Sequence, residues 1–436
     1  MRILVHCLIT TLLLVLSLNS ARAETLSLKD AVERAVTHNP SVADARLGVA
    51  SAQRGVTSAW GRHLPRLSVD GNYTRREVPF PFVPAESPII PPHFSDEFAS
   101  YSVALTLPLY QGGQVVNGVA LAKAREEIQR QGSLSVQDEI VANTVNTYNK
   151  ILQLRRLREA SHSSLEALNK QYENAEQLFQ VGRTARIDLL KVDVQLANER
   201  QRLIALDMGI ATATAALHTL MGDGVTDSLG TVSLTDTLTS ADVRLELTAG
   251  IHVAHRQRPE YLRAVGAIRE AEISRKLVLG KLLPMVNAVG GYLYQYGFAP
   301  WYKEGNWYAG LSLTMPLFDR SLYADLSRQG IETERARERL RAVDNQLALE
   351  IRTALNSIDE SRARISATEQ AVAQAEEAYQ IEQERYRTGA GAIVDLLLAQ
   401  SADVTAAANY SQALYDLNAA VVAYRRSTGT LEEYLK

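Results

Sequence analysis

Cys7 is the only cysteine in 436 residues, and it lies within the first 23. Once such a leader is removed no disulfide can form, so packing alone must hold the fold. Aromatic residues make up only 6% of the chain, and its charges form no basic block. No nucleic acid is expected as a partner. Proline is scarce and uneven: none falls within residues 112–178 or 321–386, whereas six crowd residues 79–92. Long apolar runs are missing too, except at the start. In MRILVHCLITTLLLVLSLNSARA, Arg2 is the positive flank, residues 3–18 are the apolar stretch and Ala21-Arg22-Ala23 is a small-x-small cleavage motif. The segment reads as a signal peptide cut after Ala23. Glu24 stands where a lipid anchor would need cysteine, so no lipid anchor is expected. Losing Arg2 and Arg22 leaves 44 basic against 49 acidic residues, a formal charge of -5.

What is present is enough apolar residue, 46%, to bury a large core. A mean hydropathy of -0.12 is too polar for a bundle of membrane helices. The chain also repeats itself, which decides the organisation. Pro40 and Pro259, Pro65 and Pro284, and Tyr73 and Tyr292 all lie 219 positions apart. VALTLPLYQGG from Val103 returns as LSLTMPLFDRS from Leu311, and VGRTARIDLL from Val181 returns as TGAGAIVDLL from Thr388. The expected organisation is a signal peptide at 1–23, a first structural repeat at 24–222, a linker at 223–246, a second repeat at 247–430 and a tail at 431–436.

Each repeat opens on a helical pattern, near residues 27–62 and 247–282. Leu67, Val69, Gly71 and Tyr73 then alternate with Ser68, Asp70, Asn72 and Thr74, the period of a strand with one apolar and one polar face. A returning strand carries Tyr101, Val103, Leu105 and Leu107. The second repeat matches it with Ala288 to Tyr296 and Trp307 to Met315. Four strands are expected in all, the first pair joined by the proline-rich stretch 78–99 and the second by GFAPWYKEG from Gly297. Residues 112–178 and 321–386 read as helices of roughly 100 Å at 1.5 Å per residue. Rods of that length must pair to be stable. A turn at Gly182 or Gly389 sends each back along a second helix.

Strands of this length, pattern and aromatic content suit the wall of an outer-membrane barrel. Four cannot close one, because about eight is the observed minimum. Open edges in lipid would leave backbone groups unpaired. The chain must therefore oligomerise.

The leader, the duplication, the Leu-Pro strands, the Pro-Leu-Tyr-Gln-Gly-Gly strand exit and the Gly-x-x-x-x-x-Asp-Leu-Leu turns together resemble the TolC-like outer membrane efflux protein family. The resemblance spans about residues 26–431. It implies a mainly α fold with a transmembrane β-barrel segment: a homotrimer whose chains give four β-strands each to a shared 12-stranded barrel, with long α-helical hairpins forming a periplasmic α-barrel. It implies a passive duct in the cell outer membrane, surrounded by outer membrane lipid. The duct would work with a periplasmic adaptor (membrane fusion protein) and an inner-membrane pump of RND or ABC type, in efflux or type I secretion. It needs no cofactor.

Site residues follow from the resemblance. Val181, Gly182, Arg183, Thr388, Gly389 and Ala390 stand at the helix tips that would contact the adaptor. Asp188 and Asp395 match positions near the constricted entrance, and Tyr386 matches the tyrosine of its latch. Gly391 stands where the family has the latch arginine and Leu398 where it has a second acid, so the latch is expected to be weaker or differently wired, with Arg183 or Arg186 as the candidates. Three copies of Asp395 would ring the entrance and make a cation-selective, acid-sensitive mouth. As ordinary chemistry, both aspartates also suit the positive end of a helix dipole. Tyr73, Tyr101, Trp307 and Tyr308 are candidates for an aromatic girdle at the membrane interface.

Enzymatic motifs are absent from the sequence. His252 and His255 share a helix without a third ligand and read as solvated residues. No phosphate-cradling glycine loop follows a strand, and no nucleophile elbow occurs. The alternative in a different class is a periplasmic coiled-coil adaptor or scaffold without a pore, which the two strand pairs disfavour.

Overall fold

The computed structural model describes residues 25–81, 94–224, 233–239, 246–298 and 301–435. The leader and the centre of the proline-rich stretch lie outside them. The order of elements is β1 (Thr25–Leu26), α1 (Leu28–His38), α2 (Pro40–Gly61), β2 (Arg66–Pro81), β3 (Phe94–Gln111), α3 (Gln114–Gln180) and α4 (Arg186–Leu220). After β4 (Ser233–Leu234) it continues as α5 (Leu247–Gln257), α6 (Pro259–Gly280), β5 (Met285–Phe298), β6 (Trp301–Thr314), α7 (Arg320–Arg387), α8 (Ile393–Thr428) and a 3-10 turn at Leu431–Tyr434.

Three expectations need correction. Each opening helix is two helices, broken at Asn39 (φ -63°, ψ 126°) and Arg258 (φ -71°, ψ 120°). Both residues precede proline, whose ring forces its neighbour out of the helical region. Among the described residues six strands form rather than four, because β1 pairs in parallel with β4 of the linker. Asp236 of that linker accepts from the Leu28 amide at 2.8 Å and lies 2.7 Å from the Tyr148 hydroxyl. The residues expected as a tail are packed: Leu431 is buried with Val32, Val141 and Val422.

The chain forms two compact units, Met1–Arg46, Gly132–Leu262 and Asp344–Lys436 in one, Leu47–Gln131 and Arg263–Val343 in the other. In the first, helical spacing gathers Leu347, Ile351, Ile358, Leu417 and Val421 into one cluster and Leu26, Tyr148, Ile151 and Leu217 into another. Arg258 is buried there. It pairs with Glu350 at 2.6 Å and Glu260 at 3.2 Å, while Ser135 Oγ donates to Glu260 at 2.6 Å. Beside them, burial and the charges of Glu260 and Glu432 push the Asp138 carboxyl up to about 7, against the opposing pull of Arg426 and Arg258.

The second unit holds an antiparallel sheet in the order β2-β3-β5-β6. Its register sets Leu67, Leu105, Gly290 and Ala309 in one row and Val69, Val103, Tyr292 and Trp307 in another on the same face. Asp70, Ser102, Leu293 and Asn306 share a row of the other face. The apolar face is bare, with Val69 72% and Trp307 79% exposed. Among the described residues the outer edges of β2 and β6 have no pairing strand.

Candidate duct entrance and membrane-facing sheet

The two helix tips are built alike. At the end of α3, the Gly182 amide donates to the Phe179 carbonyl at 2.9 Å and Arg183 to Leu178 at 2.8 Å. At the end of α7, Gly389 donates to Tyr386 at 3.1 Å and Ala390 to Arg385 at 2.8 Å. This paired bonding satisfies the last carbonyls of each helix and needs a left-handed residue. Gly182 and Gly389 supply it at φ 75° and 78°.

Beyond the tips, Asp188 and Asp395 both lie in the first turn of their helices, where the helix dipole favours a carboxylate. Their surroundings differ. Asp188 accepts from Thr184 Oγ1 at 3.2 Å and faces Lys191 at 3.3 Å. Asp395 has no side-chain partner among the described residues. Tyr386 packs half-buried against Leu168, Val192, Leu196, Ile393, Leu396 and Leu397. Burial, then the charge of Asp188, raises its phenol above the ordinary value, and among the described residues the hydroxyl has no hydrogen-bond partner.

Arg183 and Arg186 are exposed. Among the described residues neither engages Tyr386 or an aspartate, so a latch through Arg183 or Arg186 is not made within a single copy there. The structure also explains Gly391. A Cβ there would lie 3.0 Å from Arg385 Cβ and 3.1 Å from the Tyr386 nitrogen, so a side chain at the second tip would make its neighbours shift by a few tenths of an ångström. Leu398 is 64% exposed and lines a groove of about 390 Å³ with Ile187, Leu190, Val194 and Val394. An apolar patch thus stands where the resemblance places the family's second acid. The sequence signal for it was the apolar spacing at 187, 190 and 194. Val181, exposed at the first tip, lines a separate groove of about 880 Å³ with Gln171, Gln383 and Tyr386. Thr388 Oγ1 donates back to the Glu384 carbonyl at 3.0 Å, while Ala390 is exposed.

On the sheet, Tyr73, Tyr101 and Trp307 stand on the apolar face in three successive rows toward the β2–β3 loop. Tyr101 stacks on Tyr294 at 4.9 Å. Tyr308 departs from this group. It pairs with Gly291 on the polar face, and its ring lies where a Cβ on that glycine would be. The odd-even alternation of a strand separates it from its neighbour Trp307, so both cannot face lipid.

The histidines are not a pair. His252 is exposed, whereas His255 Nε2 lies 2.6 Å from Asp344 Oδ1 and its ring stacks on Tyr261 at 4.4 Å. His255 therefore ties α5 to α7 rather than being solvated. Among the described residues no cluster of three or more His, Cys, Asp or Glu side chains could hold a metal.

Comparison with known proteins gives a consistent picture. The family described as outer membrane efflux protein matches residues 31–223 and 251–430. The outer membrane efflux protein BepC of Brucella suis is 24% identical over 426 residues, covering 96% of this chain and 88% of BepC. The outer membrane protein TolC of Vibrio cholerae is 24% identical over 393 residues, covering 88% of this chain and 86% of TolC. Among solved structures, the outer membrane protein VceC from Vibrio cholerae superposes with a TM-score of 0.77 at 20% identity, covering 92% of this chain and 96% of VceC. The Neisseria gonorrhoeae MtrE outer membrane channel in its open state gives 0.75 at 16% identity, covering 96% and 95%.

Proposed function

The chain belongs to the outer membrane efflux protein family, and from that membership and the sheet we propose that it is the outer-membrane duct of a tripartite efflux or type I secretion system. The observation that carries the reading is the four-stranded sheet, with its bare apolar face and two unpaired edges. Backbone edges in lipid cost several kcal/mol per unpaired group. Closure requires further copies, and three give a barrel of twelve strands. The polar face, with Asp70, Asn72 and Glu304, then lines a wet passage, and Tyr73, Tyr101 and Trp307 sit at one membrane interface.

The helical hairpins reach into the periplasm, where the tips at Val181, Gly182, Arg183, Thr388, Gly389 and Ala390 meet an adaptor loaded by an RND or ABC pump. No bond is made or broken; the protein supplies a path. Asp395, free of a side-chain partner, guards the entrance, while Asp188 serves its own helix. Residues 1–23 direct export and are then removed. The substrate is set by the pump.

The test is single-channel conductance of detergent-extracted protein in a planar bilayer, with its mass measured on the same preparation. Small cation-selective currents from a three-copy species are expected. A water-soluble species without conductance would overturn the duct and favour a periplasmic scaffold.

A further inference from the structure

Within the first unit, helices α3, α4 and α8 line a cavity of about 480 Å³. Its wall is largely polar, with Ser164 from α3, Gln195, Asn198, Glu199 and Arg202 from α4, and Gln400 from α8. Two of these side chains are deeply buried, Glu199 at 7% and Gln400 at 4% exposure. The Gln400 amide nitrogen donates to the Ser164 carbonyl and to its hydroxyl, both at 3.1 Å. That fixes which way the amide points, so its oxygen is the free end. Glu199 is engaged on one side only, where Arg202 Nη1 lies 3.6 Å from Oε2, beyond hydrogen-bonding distance. Among the described residues neither Glu199 Oε1 nor Gln400 Oε1 has a hydrogen-bond partner.

Helix packing does not demand this arrangement. Glu199 continues the buried stripe of Val192 and Leu196 along α4. The tips repeat 207 positions apart, and on that offset its counterpart in α8 is Ala406, which is buried as well. The second repeat therefore fills the same place on its helix with a methyl group. A buried acceptor left unpaired is costly, and a carboxylate costs most. Two of them on one cavity wall point to a donor that comes from outside the chain.

The donor that suits them is an ammonium group, whose positive charge and several N–H bonds can serve a carboxylate and an amide oxygen together. A metal ion fits poorly, because Glu199 is the one acid among the residues lining the cavity. The cavity also continues into the apolar groove of Leu398, since Gln195, Leu397 and Ser401 line both. A polar chamber that runs on into a groove of Ile187, Leu190 and Val194 fits a molecule with a hydrocarbon tail behind its charged head.

We propose that this chain binds an alkylammonium ion, its head between Glu199 and Gln400 and its tail along the Leu398 groove. Arg202 stands beside the site as a competing cation, loosely held and half exposed. The inference goes beyond the duct reading and does not need it, because every wall of the site belongs to one chain.

The test is isothermal titration calorimetry of the protein, extracted in a neutral detergent, with hexylammonium chloride. Saturable binding at one site per chain is expected. Hexyltrimethylammonium has the same tail and charge but no N–H donor, and should bind about tenfold more weakly. Glu199→Gln keeps the shape without the charge and should weaken hexylammonium about tenfold. Glu199→Ala, which copies Ala406, should abolish binding; if that variant fails to fold, Glu199→Gln decides. Arg202→Gln removes the competing cation and should tighten binding about threefold. Asp395→Ala should change nothing, which separates this site from the entrance acid. No saturable heat from folded protein would mean that the cavity holds only water, and would overturn the proposal. Equal affinity for the two amines, unchanged binding in Glu199→Gln, or loss of binding in Arg202→Gln or Asp395→Ala would overturn it too. None of these outcomes bears on conductance, so the duct reading stands or falls separately.

Discussion

Helices α4 and α8 hold the same place in two copies of one plan, at 35 and 36 residues, yet five side chains of the first are buried against fifteen of the second. The difference is not a lack of apolar residues in α4, which among the described residues is the helix long and apolar enough to cross a membrane by composition. It lies in what stands beside each. The second repeat finds the first next to it, whereas among the described residues no helix covers the corresponding face of the first. A duplicated chain thus exposes at one end the surface it buries in the middle.

The largest expected effect comes from Asp138, whose counterpart 207 positions later is Asn345. In the folded chain its carboxyl titrates near 7, against an ordinary value of 3.8. Between those values the folded form keeps a proton that the unfolded form has lost. Stability therefore falls as pH rises through that window and levels off above it. Asp138→Asn, which copies the second repeat, should stabilise the protein at pH 8 by up to about 4 kcal/mol and by nothing at pH 3. Urea unfolding at the two pH values measures the difference; an equal effect at both would refute the buried charge.

Next are Leu397 and its counterpart Leu190, 7% and 48% exposed. Leu397→Ala should cost about 2–4 kcal/mol as a core truncation. In dissociated subunits Leu190→Ala should cost under about 1 kcal/mol, the value for a surface change. Equal costs would mean that the two helices are covered alike.

At the tips the repeats should behave identically. Gly182→Ala and Gly389→Ala meet open space, so only the left-handed backbone resists, at about 1–2 kcal/mol each. Thermal unfolding of the two variants should agree, and a large disparity would show that one tip is held by something further.

The opening helices sharpen the contrast on a smaller scale. Ser27 caps α1 through a reciprocal pairing with Asp30, while Glu246 gives α5 no side-chain cap. Ser27→Ala should lose about 1 kcal/mol and Glu246→Ser should gain about 0.5 kcal/mol, read as opposite shifts in melting temperature.

The smallest effect separates the entrance acids. Asp395→Ala should lower the cation-to-anion permeability ratio of reconstituted channels about threefold, whereas Asp188→Ala, whose charge is shared with Lys191, should leave it nearly unchanged. Unchanged selectivity in Asp395→Ala would remove that residue from the entrance.

Much of this arrangement was legible because it is local. Strand alternation from Leu67, proline-free runs ending at Gly182 and Gly389, and the order of landmarks all depend on near neighbours in the chain. The helix breaks at Asn39 and Arg258 were also written locally, in the proline that follows each. The difference between the two entrance acids is local as well: Thr184 stands four residues before Asp188 and Lys191 three after it, where Asp395 has Gly391 and Leu398. The pairing of Asp236 with Leu28 joins residues 208 positions apart, and no short-range pattern records it.

The sequence alone determined that there are two copies of one unit, which segments are helix and strand, and that four long strands are too few to close a barrel. Period, proline and glycine act within a few residues, so they can be read in order. Tertiary structure decided which face each helix covers, where the Asp138 carboxyl is buried, and that Tyr308 turns from Trp307 to the polar side over Gly291. Those outcomes depend on what is brought alongside from far away in the chain, and it is packing in three dimensions that selects the neighbour.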